Sequence, residues 1–129
     1  MVVLVVEDNE VFRTLVAENL RDIPSIQVFE AATASTALEE FQTRSPDLVF
    51  MDLDLGGENG FSVIRKIRAA GSGVPIAILT SFDLPEYKQA ALRYQVDYFL
   101  TKGISTQEDL LSVVHSFLQK RTGPDRRQN

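Results

Sequence analysis

Val2-Val3-Leu4-Val5-Val6 runs without a break into Glu7-Asp8-Asn9. A strand with one wet face alternates apolar and polar residues, whereas one covered on both faces is apolar at every position. Residues 2–6 are of the second kind. Covering both faces of a strand takes helices above and below it, so this one stretch points to an α/β fold with a mainly parallel sheet.

Working outward, Leu48–Met51 and Ile76–Leu79 are apolar throughout and read as further central strands. Ile26–Glu30 carries Gln27 and Glu30 among its apolar residues, and Tyr98–Leu100 is short and follows Asp97, so these two read as edges. Between the strands apolar residues return every three or four positions, as in Phe12, Leu15, Val16 and Leu20, or Phe61, Ile64 and Ile67. Helix boundaries are marked too. Pro85 suits a first turn, Ser45-Pro46 ends the second helix, and Ser105 with Glu108 makes a capping box for the last. Strand and helix alternate five times, and right-handed crossovers then give a flavodoxin-like (βα)5 three-layer sandwich with strand order 2-1-3-4-5. Residues 1–121 read as one domain and 122–129, poor in apolar residues, as a flexible tail.

The chain has 129 residues, 13 basic against 18 acidic, for a net charge of −5, and no cysteine. One domain fits that length. Disulfides, zinc ribbons and thiol nucleophiles are excluded. Val2–Val6 is too short for a signal-peptide core and no apolar run approaches the roughly 18 residues of a membrane span, so a soluble, cytoplasmic protein without a membrane partner is expected. The acidic balance argues against direct binding of nucleic acid, which draws on clustered Lys and Arg.

Ligands of open α/β sheets bind beyond the carboxyl ends of the strands, near the point where the strand order reverses. The first strand runs into Glu7 and Asp8 there, and its neighbour runs into Asp52. Three carboxylates from strands about 5 Å apart thus meet at one edge. Unit charges 4 Å apart repel by roughly 4 kcal/mol at an effective dielectric of about 20, which calls for a cation. All-oxygen ligands in an open site favour Mg²⁺. A plainer account leaves Asp8 as a helix cap and Asp52 as a strand end. Thr80 closing the fourth strand and Lys102 after the fifth weigh against it, because a hydroxyl and an ammonium are the donors that a phosphoryl group on Asp52 needs.

With these residues assembled, the sequence resembles the response-regulator receiver domain of bacterial two-component signalling. The resemblance is carried by Leu4-Val5-Val6-Glu7-Asp8, by Asp47-Leu48-Val49-Phe50-Met51-Asp52 with Gly60 beyond, by Ile76-Ala77-Ile78-Leu79-Thr80-Ser81, and by Phe99-Leu100-Thr101-Lys102. It implies that Asp52 accepts a phosphoryl group from a sensor histidine kinase or phosphotransfer protein. Asp8, Asp52 and the backbone carbonyl of Asp54 are then the Mg²⁺ ligands, Glu7 holds a metal-bound water, and Lys102 pairs with Asp52 and the phosphoryl oxygens. Thr80 is the switch hydroxyl, Phe99 the aromatic ring that fills the space it leaves, and Ser81 a small residue that gives the group room. Tyr98 is a competing ring. The responsive surface is the fourth helix, fifth strand and fifth helix, which addresses a downstream output protein or domain or forms a phosphorylation-dependent homodimer.

Two positions depart from the common family pattern. Gly56 and Gly103 stand where Pro is usual, and both read as loosened loops. Asp54 and Phe82 occupy positions that tune water attack on the phosphoryl group in this family, although Asp54 also fits a solvated loop acid. His115 reads as a half-buried packing residue, and Lys120, Arg121, Arg126 and Arg127 as a solvated basic tail. Two further functions are compatible with parts of the pattern: a pseudo-receiver that only binds protein partners, and a haloacid-dehalogenase-type phosphatase, whose nucleophile motif Asp52-Leu53-Asp54 resembles. The latter leaves Glu7-Asp8 unexplained.

Overall fold

A computed structural model describes residues 1–81, 83–103 and 107–122, with side chains up to residue 119. The elements are β1 (Val2–Val6), α1 (Glu10–Arg21), β2 (Gln27–Ala31), α2 (Ala34–Arg44), β3 (Leu48–Met51), β4 (Asp54–Leu55), β5 (Glu58–Asn59), α3 (Gly60–Ala69), β6 (Ile76–Thr80), α4 (Pro85–Arg93), β7 (Tyr98–Thr101) and α5 (Gln107–Thr122). Five of the strands form one parallel sheet in the order β2-β1-β3-β6-β7. Setting aside the short β4 and β5, this is the 2-1-3-4-5 order read from the sequence.

Alternation along each strand sorts the core into two layers. Leu4, Val6, Val49, Met51, Ile76 and Ile78 face α2, α3 and α4, while Val3, Val5, Leu48, Phe50, Ala77 and Leu79 face α1 and α5. The uninterrupted apolar strands β1, β3 and β6 are central, and the two polar-marked ones are the edges. Pro85 opens α4, and Ser45, at a φ of 45°, ends α2 just before Pro46. Thr33 and Thr36 form a capping box at the start of α2 that sequence reading passed over. The proposed Ser105 cap, Phe82 and the tail from 123 onward lie outside the described residues.

Between β3 and α3 the chain is a small hairpin rather than a loosened loop. Asp54 pairs with Asn59 and Leu55 with Glu58, antiparallel, around Gly56 and Gly57. These two glycines have φ of 64° and 97°, the left-handed pair that a primed two-residue turn requires. Proline, held near a φ of −65°, cannot enter either backbone, nor that of Gly103 at 85°. The departures from the family pattern are therefore turns of a different shape.

Candidate functional site

The carboxyl ends of β1, β3, β6 and β7 deliver the five residues singled out above: Glu7 and Asp8, Asp52, Thr80 and Lys102. The ladder continues one step past each central strand: the Glu7 amide donates to Ala31 O at 3.0 Å and the Asp52 amide to Val6 O at 2.9 Å. Both acids are thereby held level at the sheet edge. Their side chains are 3% exposed, and Thr80, at the end of β6, is fully buried. The Lys102 amide donates to Thr80 O at 2.7 Å, which ties the residue after β7 to the end of β6.

Asp8 behaves differently from its neighbours. The N-cap of α1 is Asn9, whose side-chain oxygen accepts from the Phe12 amide at 2.9 Å. Asp8 is left exposed at the rim and free of capping duty. One carboxylate oxygen from each of Glu7, Asp8 and Asp52 lies within 4.8 Å of the others. Two buried acids and one exposed acid fit a hard divalent ion that keeps part of its water shell. Asp54 opens the hairpin, its amide donating to Asp52 Oδ1 at 3.2 Å, and the hairpin turn lies against Asp8: a Cβ placed on Gly56 would sit 3.5 Å from Asp8 Oδ2.

Lys102 is the cation of this cluster, and it is closer to Glu7 than to Asp52. Its Nζ is 2.5 Å from Glu7 Oε1 and 3.5 Å from Asp52 Oδ2. The contact with Glu7 is an ion pair between a largely buried ammonium and a buried carboxyl. The aromatic ring of Phe12 lies 4.6 Å below the ammonium, a cation–π support from α1. Glu7 Oε2 accepts from the Asn9 amide at 3.1 Å. Burial nevertheless pushes the Glu7 carboxyl up from 4.5 to about 7; Lys102 opposes the rise, Asp52 adds to it, and the Asn9 amide opposes it again. Three acids against one ammonium leave this pocket short of positive charge.

Gly60 explains why the cluster tolerates no side chain beneath it. A Cβ there would lie 2.2 Å from the backbone oxygen of Asp52, and the Gly60 amide donates to Leu53 O at 2.9 Å. The first turn of α3 thus presses directly on the backbone that carries Asp52.

The two candidate rings separate cleanly. Ile78 pairs with Phe99, and Thr80 follows Ile78 on the same face of the sheet. Phe99 packs on the α3 and α4 side, with Lys88 Nζ 5.8 Å from its ring centre. Tyr98 packs on the opposite layer and its hydroxyl reaches Ser116 of α5 at 3.4 Å. Only Phe99 shares the face of Thr80. Ser81 is exposed beside the site. His115, expected to be half buried, is exposed on α5, because the inward stripe of that helix is Leu110, Val113 and Val114.

The sequence pattern of the family described as the response regulator receiver domain matches residues 3–115. The KDP operon transcriptional regulatory protein KdpE of Escherichia coli (strain K12) is 35% identical over 125 residues, 95% of this chain and 55% of its own length. The chain spans about half the length of the curated relatives it matches. A two-component response regulator of the LuxR family from Aurantimonas sp. SI85-9A1 superimposes with a TM-score of 0.83 at 27% identity, over 98% of this chain and 92% of that one. A CheY-like receiver domain protein from Methanospirillum hungatei JF-1 does so with a TM-score of 0.85 at 21% identity, over 93% and 94%; at that identity the likeness speaks for the fold. No helix among the described residues is long and apolar enough to cross a membrane.

Proposed function

The chain belongs to the response-regulator receiver family, and from that membership we propose that it is a phosphorylation switch with Asp52 as the phosphoacceptor. The observation that carries the reading is the meeting of a buried Asp52, two further acids within 4.8 Å and an ammonium at 3.5 Å.

An oxygen of Asp52 attacks the phosphorus of a kinase phosphohistidine; the P–N bond breaks and its electron pair leaves with the imidazole. Asp8, Asp52 and the Asp54 carbonyl would hold Mg²⁺, with Glu7 on a metal-bound water, and the ion would supply charge that neutralises the oxygens of the transferring group. Lys102 donates to those oxygens as well as to Asp52. Thr80 donates its hydroxyl to the new phosphoryl group, and Phe99, on the same face, takes up the space it vacates. The surface of α4, β7 and α5 changes in response and is read by an output protein or domain, or by a second copy of the chain. A sensor histidine kinase or phosphotransfer protein supplies the group, in the cytoplasm, and no turnover of outside substrates is involved.

Incubation with acetyl phosphate and Mg²⁺ followed by mass spectrometry tests this. One added phosphoryl group, absent from Asp52→Asn and from samples with chelator, is the expected result. Intact Mg²⁺ binding with no adduct in the native chain overturns it in favour of a pseudo-receiver that only binds partners. Repeated turnover of a generic phosphate ester overturns it in favour of a phosphatase.

A further inference from the structure

Two arginines of α1 converge on one acid of the edge strand β2. Arg13 Nε donates to Glu30 Oε1 at 3.1 Å and Arg21 Nη2 to Glu30 Oε2 at 3.1 Å. Arg21 Nη2 also donates to Val28 O at 3.2 Å, so its bonds stay on β2. Arg13 turns the other way. Its Nη1 donates to the backbone oxygen of Glu7 at 2.9 Å, and one guanidinium thereby joins the end of β1 to the end of β2. The Arg13 side chain is 17% exposed against 47% for Arg21, which leaves its bonds less open to competition from water.

The carbonyl that Arg13 takes lies where the sheet stops. Val6 O accepts from the Asp52 amide, whereas Glu7 O lies one residue past the pairing of β1 with β2 and β3, which ends at Val6. A carbonyl at that level needs a donor from outside the ladder. Glu7 O also belongs to the planar peptide that joins Glu7 to Asp8, so holding it fixes the unit from which both acids project. Successive side chains of a strand leave by opposite faces, yet Glu7 and Asp8 each bring an oxygen within 4.8 Å of the other and of Asp52. Their common aim depends on that peptide. Glu7 has a side-chain tie of its own, to the Asn9 amide, while Asp8, exposed at the rim, takes its aim from the backbone.

We propose that Arg13 is a positioning residue for the acid cluster: it fixes the peptide between Glu7 and Asp8, with Glu30 aiming its guanidinium, so that the edge strand helps set the geometry in which the cluster takes a divalent cation. Arg13 pairs with Glu30 and with a backbone oxygen, not with a carboxylate of the cluster. The sign of its effect separates positioning from charge. A guanidinium beside a cation site repels the cation, so on charge alone its removal tightens Mg²⁺ binding. Loss of a group that orients metal ligands weakens binding instead, by roughly tenfold or more. The inference rests on the Mg²⁺ reading of the cluster and extends it to a residue outside the ligand set.

Mg²⁺ titration of the full chain, followed by the amide shifts of residues 7–9 and 52–54, gives the affinity of each variant. In Arg13→Met, which keeps the stem and loses the donors, affinity is expected to fall roughly tenfold or more. Arg21→Met removes the other tie between α1 and β2 and is expected to bind Mg²⁺ as the native chain does. Urea unfolding in chelator reports the stability of each variant separately, so a loss of affinity is not mistaken for a loss of folding. Arg13→Lys retains the charge, but its single nitrogen cannot span Glu30 and Glu7 O together; it is expected to weaken binding in the same direction and serves if the Met variant does not fold. Unchanged or tighter binding in the folded Arg13 variant overturns the proposal, and so does an equal loss in Arg21→Met, which makes the effect one of general packing. A native chain that binds no Mg²⁺ overturns the metal reading and the inference with it, whereas native binding with an indifferent Arg13 variant overturns the inference alone.

Discussion

Replacing Glu7 by Gln in metal-free solution changes how stability follows pH. Glu7 is 3% exposed and its carboxyl is pushed from 4.5 to about 7, first by burial. Between those two values the folded chain holds a proton that the unfolded chain has already released. Folded stability contributed by that proton is therefore complete below about pH 4.5 and is lost as pH rises to about 7. A shift of that size corresponds to about 3 kcal/mol at most, and the coupling to Lys102 and Asp52 brings the expected loss to about 1–3 kcal/mol. Gln cannot titrate, so the stability of the native chain minus that of Glu7→Gln isolates the effect from the other carboxylates. Urea unfolding in chelator at several pH values from 4.5 to 8 should show this difference falling toward pH 7 and flat beyond it. With the proposed Mg²⁺ site on the ionised carboxylates, saturating Mg²⁺ should flatten or reverse the fall. A difference that is constant across the range, or that rises with pH, would refute the account of Glu7 as an acid forced into a buried, charge-poor pocket.

Other outcomes follow from the same geometry. Gly60→Ala places a methyl 2.2 Å from the Asp52 backbone oxygen, and a cost of about 1–3 kcal/mol in urea unfolding, with a reduced yield of phosphoryl adduct, is expected. Gly57→Ala should cost roughly 1–2 kcal/mol because of its φ of 97°, whereas Gly57→Asn, which tolerates left-handed backbone better, should cost measurably less. Thr80→Val keeps the shape of a fully buried side chain and removes the hydroxyl. The adduct on Asp52 should still form, but amide shifts of Phe99 and of the first turn of α4 on phosphorylation should disappear.

The sheet was legible because three strands are apolar at every position and two are not, a difference that burial on both faces imposes directly on composition. The hairpin was not. Its strands, Asp54–Leu55 and Glu58–Asn59, are two residues each, too short for any alternation to register, and Gly56 was weighed against an expected Pro instead of being read with Gly57 as a turn. Spacing to Lys102 already favours Phe99 over Tyr98, and the pairing of Ile78 with Phe99 puts that ring on the face of Thr80.

The position of Lys102 was the part of the site least accessible to sequence. Its presence beyond the last strand is what reads it as a phosphoryl partner in the proposed function, but the ammonium also lies against the buried acid at the end of β1. At 2.5 Å from Glu7 and 3.5 Å from Asp52, it lies between two carboxylates that compete for it. On the proposed function, a phosphoryl group on Asp52 would tilt that competition by bringing further negative oxygens to one side, and a divalent ion beside Glu7 and Asp8 would relieve the other. In that reading, phosphorylation of Asp52 would redistribute a single cation between two strands, and the Lys102 backbone amide, which donates to Thr80 O at 2.7 Å, ties that cation's residue to the end of β6.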